Sequence, residues 1–305
     1  MIYTLTLNPS IDMNVTTDKL SENSATRTKN MMLTPNGKGI NVAFVLRHFG
    51  CSVGAMGFFG GFTGKYIVDR CEGAGIKVVP AWIEGENRIN VFLTEGNAEY
   101  KLINEGPNIE GNEEQIMLQA LDGVSDMEVL TVNGSEPRNL SVHFYEKLIQ
   151  IVKKKKAKLI LDMSSLKLKD LLTYKPLLIK PNDEELEKIF GIKITDVNSI
   201  KNALVFLNEK GAQNILLTLG EKGSYFYNGT DFFHCGVQPV KVRSSLCTGD
   251  GFLAAFLSVW LTDKNCVNEA LKLAAAVGAN IAESDGIGTL EKVDIYKKNI
   301  QVKNI

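Results

Sequence analysis

The sequence carries no excess of charge of either sign: 34 Lys and Arg stand against 35 Asp and Glu, for a formal net charge of −1. Without a basic excess, attraction to a nucleic-acid backbone has no electrostatic support. The Lys153–Lys156 run is short, follows an amphipathic stretch over 142–152, and reads as a solvated helix end. Cysteines number only five, and no Cys-x-x-Cys pair occurs. The three histidines, His48, His143 and His234, are far apart. Together these absences exclude a disulfide framework and a zinc knuckle, and they fit a reducing cytoplasm. The longest apolar runs are too short to span a bilayer, so no membrane partner is expected. Residues 1–9 lack the charged start and apolar core of a signal peptide. There is no internal repeat, no low-complexity tract and no linker rich in Pro, Gly or Ser. A Walker loop is missing as well. The glycines of 54–61 do not have Gly-x-Gly-x-x-Gly spacing, and no acidic residue follows them at the distance a dinucleotide site needs.

What is present is a long chain with enough apolar residue, 44% of 305, to bury a large core. Alternating and apolar runs predict strands at 1–7, 53–59, 78–82, 128–132, 158–162, 177–180 and 214–219. A late strand pair is predicted at 223–226 and 232–235. Helical patterns fall at 38–49, 64–73, 113–121, 141–154, 184–190, 199–210, 251–261 and 268–282. The alternation implies a mostly parallel sheet covered on both faces, an α/β fold. Two segments break the rhythm. A hairpin over 90–93 and 98–103, together with residues 13–33, predicts a small antiparallel addition. The expected organisation is one α/β domain over 1–305 with a β lid built from about 12–34 and 84–104.

Five short segments carry possible chemistry. In Ser245–Phe256, small residues lead to the single carboxylate of Asp250 and then to a buried apolar helix. A helix start exposes unsatisfied N–H groups and the positive end of the macrodipole, which suits an anion. Asp250 there is either a proton acceptor beside a phosphoryl group or simply an N-cap. Pro35–Gly39 precedes a helix containing Asn41, and its glycines and Lys38 suit either a close-approaching ligand or an ordinary tight loop. The 54–61 glycine run reads as a strand and turn packed closely on a ligand or a neighbouring element. Asp12 follows the first strand, where open α/β sheets bind ligands; it could hold hydroxyls or form an Asx-turn. Asn182 and Glu185 lie three apart at a strand-to-helix junction and fit either a hydrated magnesium ion or a capping box.

Taken in order, these segments resemble the ribokinase-like (PfkB-type) sugar kinases, above all their bacterial 1-phosphofructokinases and tagatose-6-phosphate kinases. The matching runs are Thr6–Asp12, Gly37–Ala43, Gly57–Gly64, Arg88–Val91, Lys180–Leu186, Thr218–Gly223 and Gly278–Asn280. Four departures stand out. Cys247-Thr248 replaces the usual Gly-Ala before Gly249-Asp250, and Asn36 replaces a further glycine. Residues 133–138 follow the family's Ser-Gly-Ser-x-Pro loosely, and Asp162-Met163-Ser164-Ser165 replaces Asp-Thr-Ser-Gly.

The resemblance implies a three-layer α/β/α sandwich, ATP and Mg2+, and phosphoryl transfer to an alcohol. The implied substrate is a ketohexose phosphate, with fructose 1-phosphate first, tagatose 6-phosphate as the alternative, and an inactive sugar-phosphate sensor as a reading of another class. It implies Asp250 as base, with Cys247, Thr248, Gly249 and Asp250 forming the anion loop. Asp12, Gly37, Asn41 and Asn90 would meet the sugar, and Lys38, Arg88 and Arg27 its phosphate. Lys180, Thr218, Gly220, Gly223 and Asn280 would line the ATP site, with Asn182 and Glu185 at the metal. A homodimer through the lid is also implied.

Overall fold

Alternation along the first strand sends Tyr3 and Leu5 into one apolar layer and turns Thr4 and Thr6 to the opposite face. The same division runs through a computed structural model that describes residues 1–141 and 143–305. In chain order the strands are β1 (Ile2–Thr6), β2 (Ser10–Thr17), β3 (Lys29–Asn36), β4 (Val53–Gly60), β5 (Lys77–Ile83), β6 (Arg88–Glu95), β7 (Ala98–Leu102), β8 (Val129–Gly134), β9 (Lys158–Met163), β10 (Leu178–Ile179), β11 (Ile215–Thr218), β12 (Ser224–Tyr227), β13 (Phe232–Cys235) and β14 (Val302–Asn304). The helices are α1 (Lys38–His48), α2 (Gly61–Gly73), α3 (Gly111–Gly123), α4 (Phe144–Lys154), α5 (Leu168–Leu171), α6 (Asp183–Glu185), α7 (Val197–Glu209), α8 (Thr248–Trp260), α9 (Val267–Ala282) and α10 (Val293–Lys297).

Ten strands form the main sheet in the order β14-β13-β12-β11-β10-β9-β8-β1-β4-β5. From β5 to β11 every neighbour pair is parallel, and β12 to β14 add antiparallel rungs at one edge. One face packs on α3, α4, α5 and α7. The other packs on α1, α2, α8, α9 and α10. This is the expected three-layer α/β/α arrangement. The chain leaves β1 toward β4 and later returns to its other side as β8, so the sheet reverses direction there. Such a reversal opens a crevice beyond the carboxyl ends of the strands.

The addition to this sheet is a four-stranded sheet ordered β3-β2-β6-β7. It is not wholly antiparallel as the sequence suggests, because β2 and β6 run parallel, with Ser10, Ile11 and Asp12 opposite Arg88, Ile89 and Asn90. Alternation along each strand reports its buried face but not the direction of a partner many residues away.

Other differences are local. The helix expected over 141–154 begins at Phe144, and Val142 within that range lies outside the described residues. The one expected over 184–190 is a short α-turn that passes into a wide π-type turn, Leu186–Phe190, closed by left-handed Gly191. Helix α2 begins at Gly61 and α8 at Thr248, both earlier than the apolar pattern indicates. Small residues give no apolar period there, yet their backbone builds the first turn without a side-chain cap.

Candidate active site

Two helix starts converge above the carboxyl ends of β1, β8 and β9. The first is α1, whose entry residue Gly37 has φ +129°. A Cβ at Gly37 would lie 2.6 Å from Thr6 Cγ2, so only glycine lets the chain pass this close over the end of β1. The second is α8. Cys247 occupies its entry position in the left-handed region, at φ +62°, and offers no side-chain cap. The amides of Thr248, Gly249 and Asp250 precede the first helical bond, Gly251 N to Cys247 O at 2.9 Å. They are therefore unspent donors at the positive end of a helix.

Asp250 lies inside the first turn rather than at the cap, and its side chain is buried. Asn41 Nδ2 donates to its Oδ2 at 2.8 Å. Burial, and next the charge of Asp162, push the Asp250 carboxyl up to about 6, while Lys38, Asn41 and Lys180 pull the other way. A buried carboxylate with that balance, beside free amides, is placed to take a proton near neutral pH.

A line of amides connects Asp250 to a second buried carboxylate. Asn41 also donates to Asn36 Oδ1 at 2.9 Å, and Asn36 Nδ2 donates to Asp12 Oδ2. Asp12 Oδ1 accepts from Asn90 Nδ2 at 2.8 Å and Ser10 Oγ at 3.3 Å. Burial raises the Asp12 carboxyl, against the pull of Asn90, Asn36, Ser10 and Arg88. Cys247 Sγ sits 3.2 Å from Asn41 Nδ2, and burial followed by the charges of Asp250 and Asp12 holds its thiol far above the ordinary value.

Lys38 is not where the sequence suggests. It is expected beside Arg88, yet its Nζ lies 3.3 Å from each of Asp162 Oδ1, Ser164 Oγ and Glu185 Oε1. Lys180 Nζ meets the same Asp162 oxygen at 3.2 Å and lies 3.4 Å from where a Cβ on Gly249 would be. Burial disfavours the Asp162 anion, but Lys180 and Lys38 outweigh it and hold the carboxyl below its usual range. Asp162 Oδ2 remains buried without a partner. Arg88 stays on the Asp12 side, donating to Asn8 O and Asn104 O, both at 3.2 Å, with Nε buried and unpartnered.

Asn182 and Glu185 form the capping box: Glu185 N donates to Asn182 Oδ1 at 2.7 Å, and Asn182 N to Glu185 Oε2 at 3.1 Å. The cap leaves Glu185 Oε1 facing Lys38 and Ser164, whose hydroxyl donates to it at 2.6 Å. Among the residues expected to border ATP, Thr218 bridges to Asn182, and Gly220 and Gly223 turn the chain with φ +56° and +87°. Asn280 is buried, its Oδ1 accepting from Lys292 N at 2.9 Å. Arg27 is exposed on the loop between β2 and β3, and its side chain has no polar partner among the described residues. Asn36, Asp162 and Ser164 are the participants that sequence reasoning passes over. Asn36 falls where the family pattern is broken, whereas Asp162 and Ser164 are the two residues of 162–165 that keep it. A cleft of about 480 Å3 is lined by Glu84, Glu86, Glu105, Glu110 and Glu113, none of them among these groups.

In sequence and fold the chain is similar to known proteins. Residues 5–293 match the family described as pfkB family carbohydrate kinase. The chain is 41% identical over 302 residues to a D-tagatose-1-phosphate kinase of Klebsiella oxytoca, covering 99% of each. It is 30% identical over 305 residues to a 1-phosphofructokinase of Bacillus subtilis, covering 100% of each. In fold it is similar to phosphofructokinase-2 of Escherichia coli solved with substrates and products, with TM-score 0.89, 23% identity and 98% of each chain covered. These relatives are sugar-phosphate kinases, which are phosphotransferases with an alcohol acceptor. The chain belongs to the pfkB family of carbohydrate kinases.

Proposed function

We propose that this enzyme transfers the γ-phosphoryl group of ATP to a ketohexose 1-phosphate, with D-tagatose 1-phosphate preferred over D-fructose 1-phosphate. The observation that carries the chemistry is Asp250, buried against the free amides of α8 and raised to about 6. The sugar rests on the relatives: the D-tagatose-1-phosphate kinase shares 41% of residues and the 1-phosphofructokinase 30%. The two sugars differ only in configuration at C4, and in this reading Asp12 and Asn90 are the groups that distinguish them. Arg88, with its unpartnered Nε, is the cation on that side for the phosphate already present.

In the reaction Asp250 takes the proton of the attacking hydroxyl. The sugar oxygen bonds to the γ-phosphorus, the bond from that phosphorus to the bridging oxygen breaks, and ADP leaves. Free amides of α8, with Lys180 beside Gly249, steady the charge that builds on the phosphoryl oxygens. Thr218, Gly220 and Gly223 border the nucleotide in this reading. Magnesium fits the donors present: Glu185, the orphaned Asp162 Oδ2 and Ser164 are hard oxygens. Among the described residues no three carboxylate, His or Cys groups converge into a closed cage. That suits an ion that keeps waters and takes phosphate oxygens, and when bound it neutralises phosphate charge.

The small sheet also supports a homodimer. Its edge strand β3 exposes Met31 at 66%, and its other edge β7, with the residue that follows, exposes Leu102 and Ile103 at 56% each. Such apolar edges invite pairing with a second copy. No helix is long and apolar enough to cross a membrane among the described residues. All five thiols are free, in keeping with a cytoplasmic enzyme.

The test is ADP release with ATP and magnesium against tagatose 1-phosphate, fructose 1-phosphate, tagatose 6-phosphate, fructose 6-phosphate and unphosphorylated fructose. The two 1-phosphates are expected to lead in kcat/KM, tagatose 1-phosphate first. A 6-phosphate in the lead would move the anchor phosphate to the other end of the sugar.

A further inference from the structure

We infer that Lys38 is a tethered cation that neutralises the Asp162–Glu185 carboxylate pair in the free enzyme and moves off that pair only for a metal-bound nucleotide, whose transferring phosphoryl group it then meets. The inference rests on the kinase reading above and adds a role for a residue that the sequence pattern places on the sugar.

Three oxygens surround the Lys38 ammonium at 3.3 Å each, from the end of β9, the residue just beyond it and the first turn after β10. Two of these groups, Asp162 and Glu185, are those that would face magnesium. A single ammonium and a divalent ion cannot both occupy this space without strong repulsion. Which cation gives way follows from burial. Lys180 pairs with Asp162 from a side chain only 4% exposed, whereas the Lys38 side chain is 29% exposed. Lys38 begins α1 on a flexible four-carbon stem. Asp162 keeps Lys180 when Lys38 moves, so its charge is never left bare. The stem then needs only to swing away from Glu185 toward the neighbouring mouth of α8. Arg88 remains on the Asp12 side throughout, so the sugar's own phosphate does not depend on Lys38.

The arrangement has an unusual consequence: removing a cation should tighten binding of another cation. The experiment is Mn2+ binding to the full-length, nucleotide-free protein, followed by electron paramagnetic resonance, for wild type, Lys38→Gln and Lys38→Arg. A neighbouring charge shifts an ionic equilibrium by about one to three decades, so Lys38→Gln should bind Mn2+ at least about tenfold tighter. Lys38→Arg, which keeps the charge, should retain the weak wild-type affinity. In turnover, Lys38→Gln should lose about a hundredfold or more in kcat, as for removal of one group aimed at the reacting charge, with KM for the sugar phosphate little changed. Unchanged or weaker Mn2+ binding in Lys38→Gln, with an unchanged melting temperature, overturns the inference. So does a rise in sugar-phosphate KM at constant kcat. The metal titration needs no substrate, so failure of wild type to phosphorylate any sugar phosphate would count against the kinase reading alone.

Discussion

Asn41 Nδ2 lies 2.8 Å from Asp250 Oδ2, and this is the only hydrogen bond that the Asp250 side chain receives among the described residues. The carboxylate is thus oriented by a single amide, and its other oxygen stays open to an incoming hydroxyl. An N-cap would instead bond a backbone amide of its own helix, which Asp250 does not do.

Replacing Asp250 with Asn keeps an acceptor for Asn41 and removes the base. Turnover is expected to fall by at least about a hundredfold, with both KM values little changed. Steady-state kinetics on the folded variant settle it; retention of most of kcat would return Asp250 to a structural role.

The pH profile follows from the same residue. Asp250 works only when ionised, so kcat/KM should drop as pH falls through about 6. Asp162→Asn removes the neighbouring negative charge and should move that limb to lower pH. The sign for stability is opposite to that of an ordinary paired carboxylate. The folded value, about 6, stands above the ordinary 3.8, so the folded protein holds this proton more tightly than the unfolded chain. Ionised Asp250 therefore costs stability above about 6, and the cost vanishes below 3.8. Asp250→Asn should melt higher than wild type at pH 8, with the gap closing toward pH 4. An equal gap at both values would contradict this account.

Asn36 connects the two carboxylates through Asp12 and Asn41. Hydrogen bonds to charged groups contribute about 1.5–3 kcal/mol. Asn36→Ala should thus lower kcat/KM by about tenfold to a hundredfold, and its effect should not add to that of Asn41→Ala, since both cut one line. Independent, additive losses in a double-mutant cycle would show that the line is not a unit.

Arg88→Ala should raise KM for the sugar phosphate far more than KM for ATP, because its guanidinium lies by Asn8 and Asn104 on the Asp12 side. Equal effects on the two substrates would make Arg88 a scaffold for the loop around Asn104.

Cys247 should be a slow thiol. Burial and the charges of Asp250 and Asp12 disfavour its thiolate, the reactive form. Iodoacetamide at pH 8, mapped by mass spectrometry, should label Cys51 and Cys266 well before Cys247; early labelling of Cys247 would mean that the α8 entry is open.

Much of this site is readable in the chain because its parts sit on local signals. Glycine before Lys38, small residues before Asp250 and an apolar helix after it each report their own conformation. Asn41 follows its helix start by a single turn, so its facing direction is fixed as well. The partners of Lys38 are another matter. Asp162 in β9 and Glu185 in the first turn after β10 reach it from strand ends that only the completed sheet sets side by side, and no local pattern encodes that meeting. Asn280 shows the converse, a family-matched polar residue whose bond to Lys292 N ties down a loop. The last elements, α10 and β14, are too short and too exposed to leave a periodic trace.

The parallel pairing of β2 with β6 sets Ser10, Ile11 and Asp12 beside Arg88, Ile89 and Asn90 on successive rungs. In the proposed reading the groups that meet the sugar there belong to the small sheet, while Asp250 in α8, Glu185 in α6 and Lys180 after β10 belong to elements of the main sheet's layers. On that reading recognition and chemistry are carried by separable modules that meet at Asn36. A lineage of such enzymes can exchange one hexose for another by rewriting a few rungs of a peripheral ribbon, leaving the proton acceptor and its electrostatic setting untouched. Transplanting that ribbon between relatives is the corresponding route for an engineer.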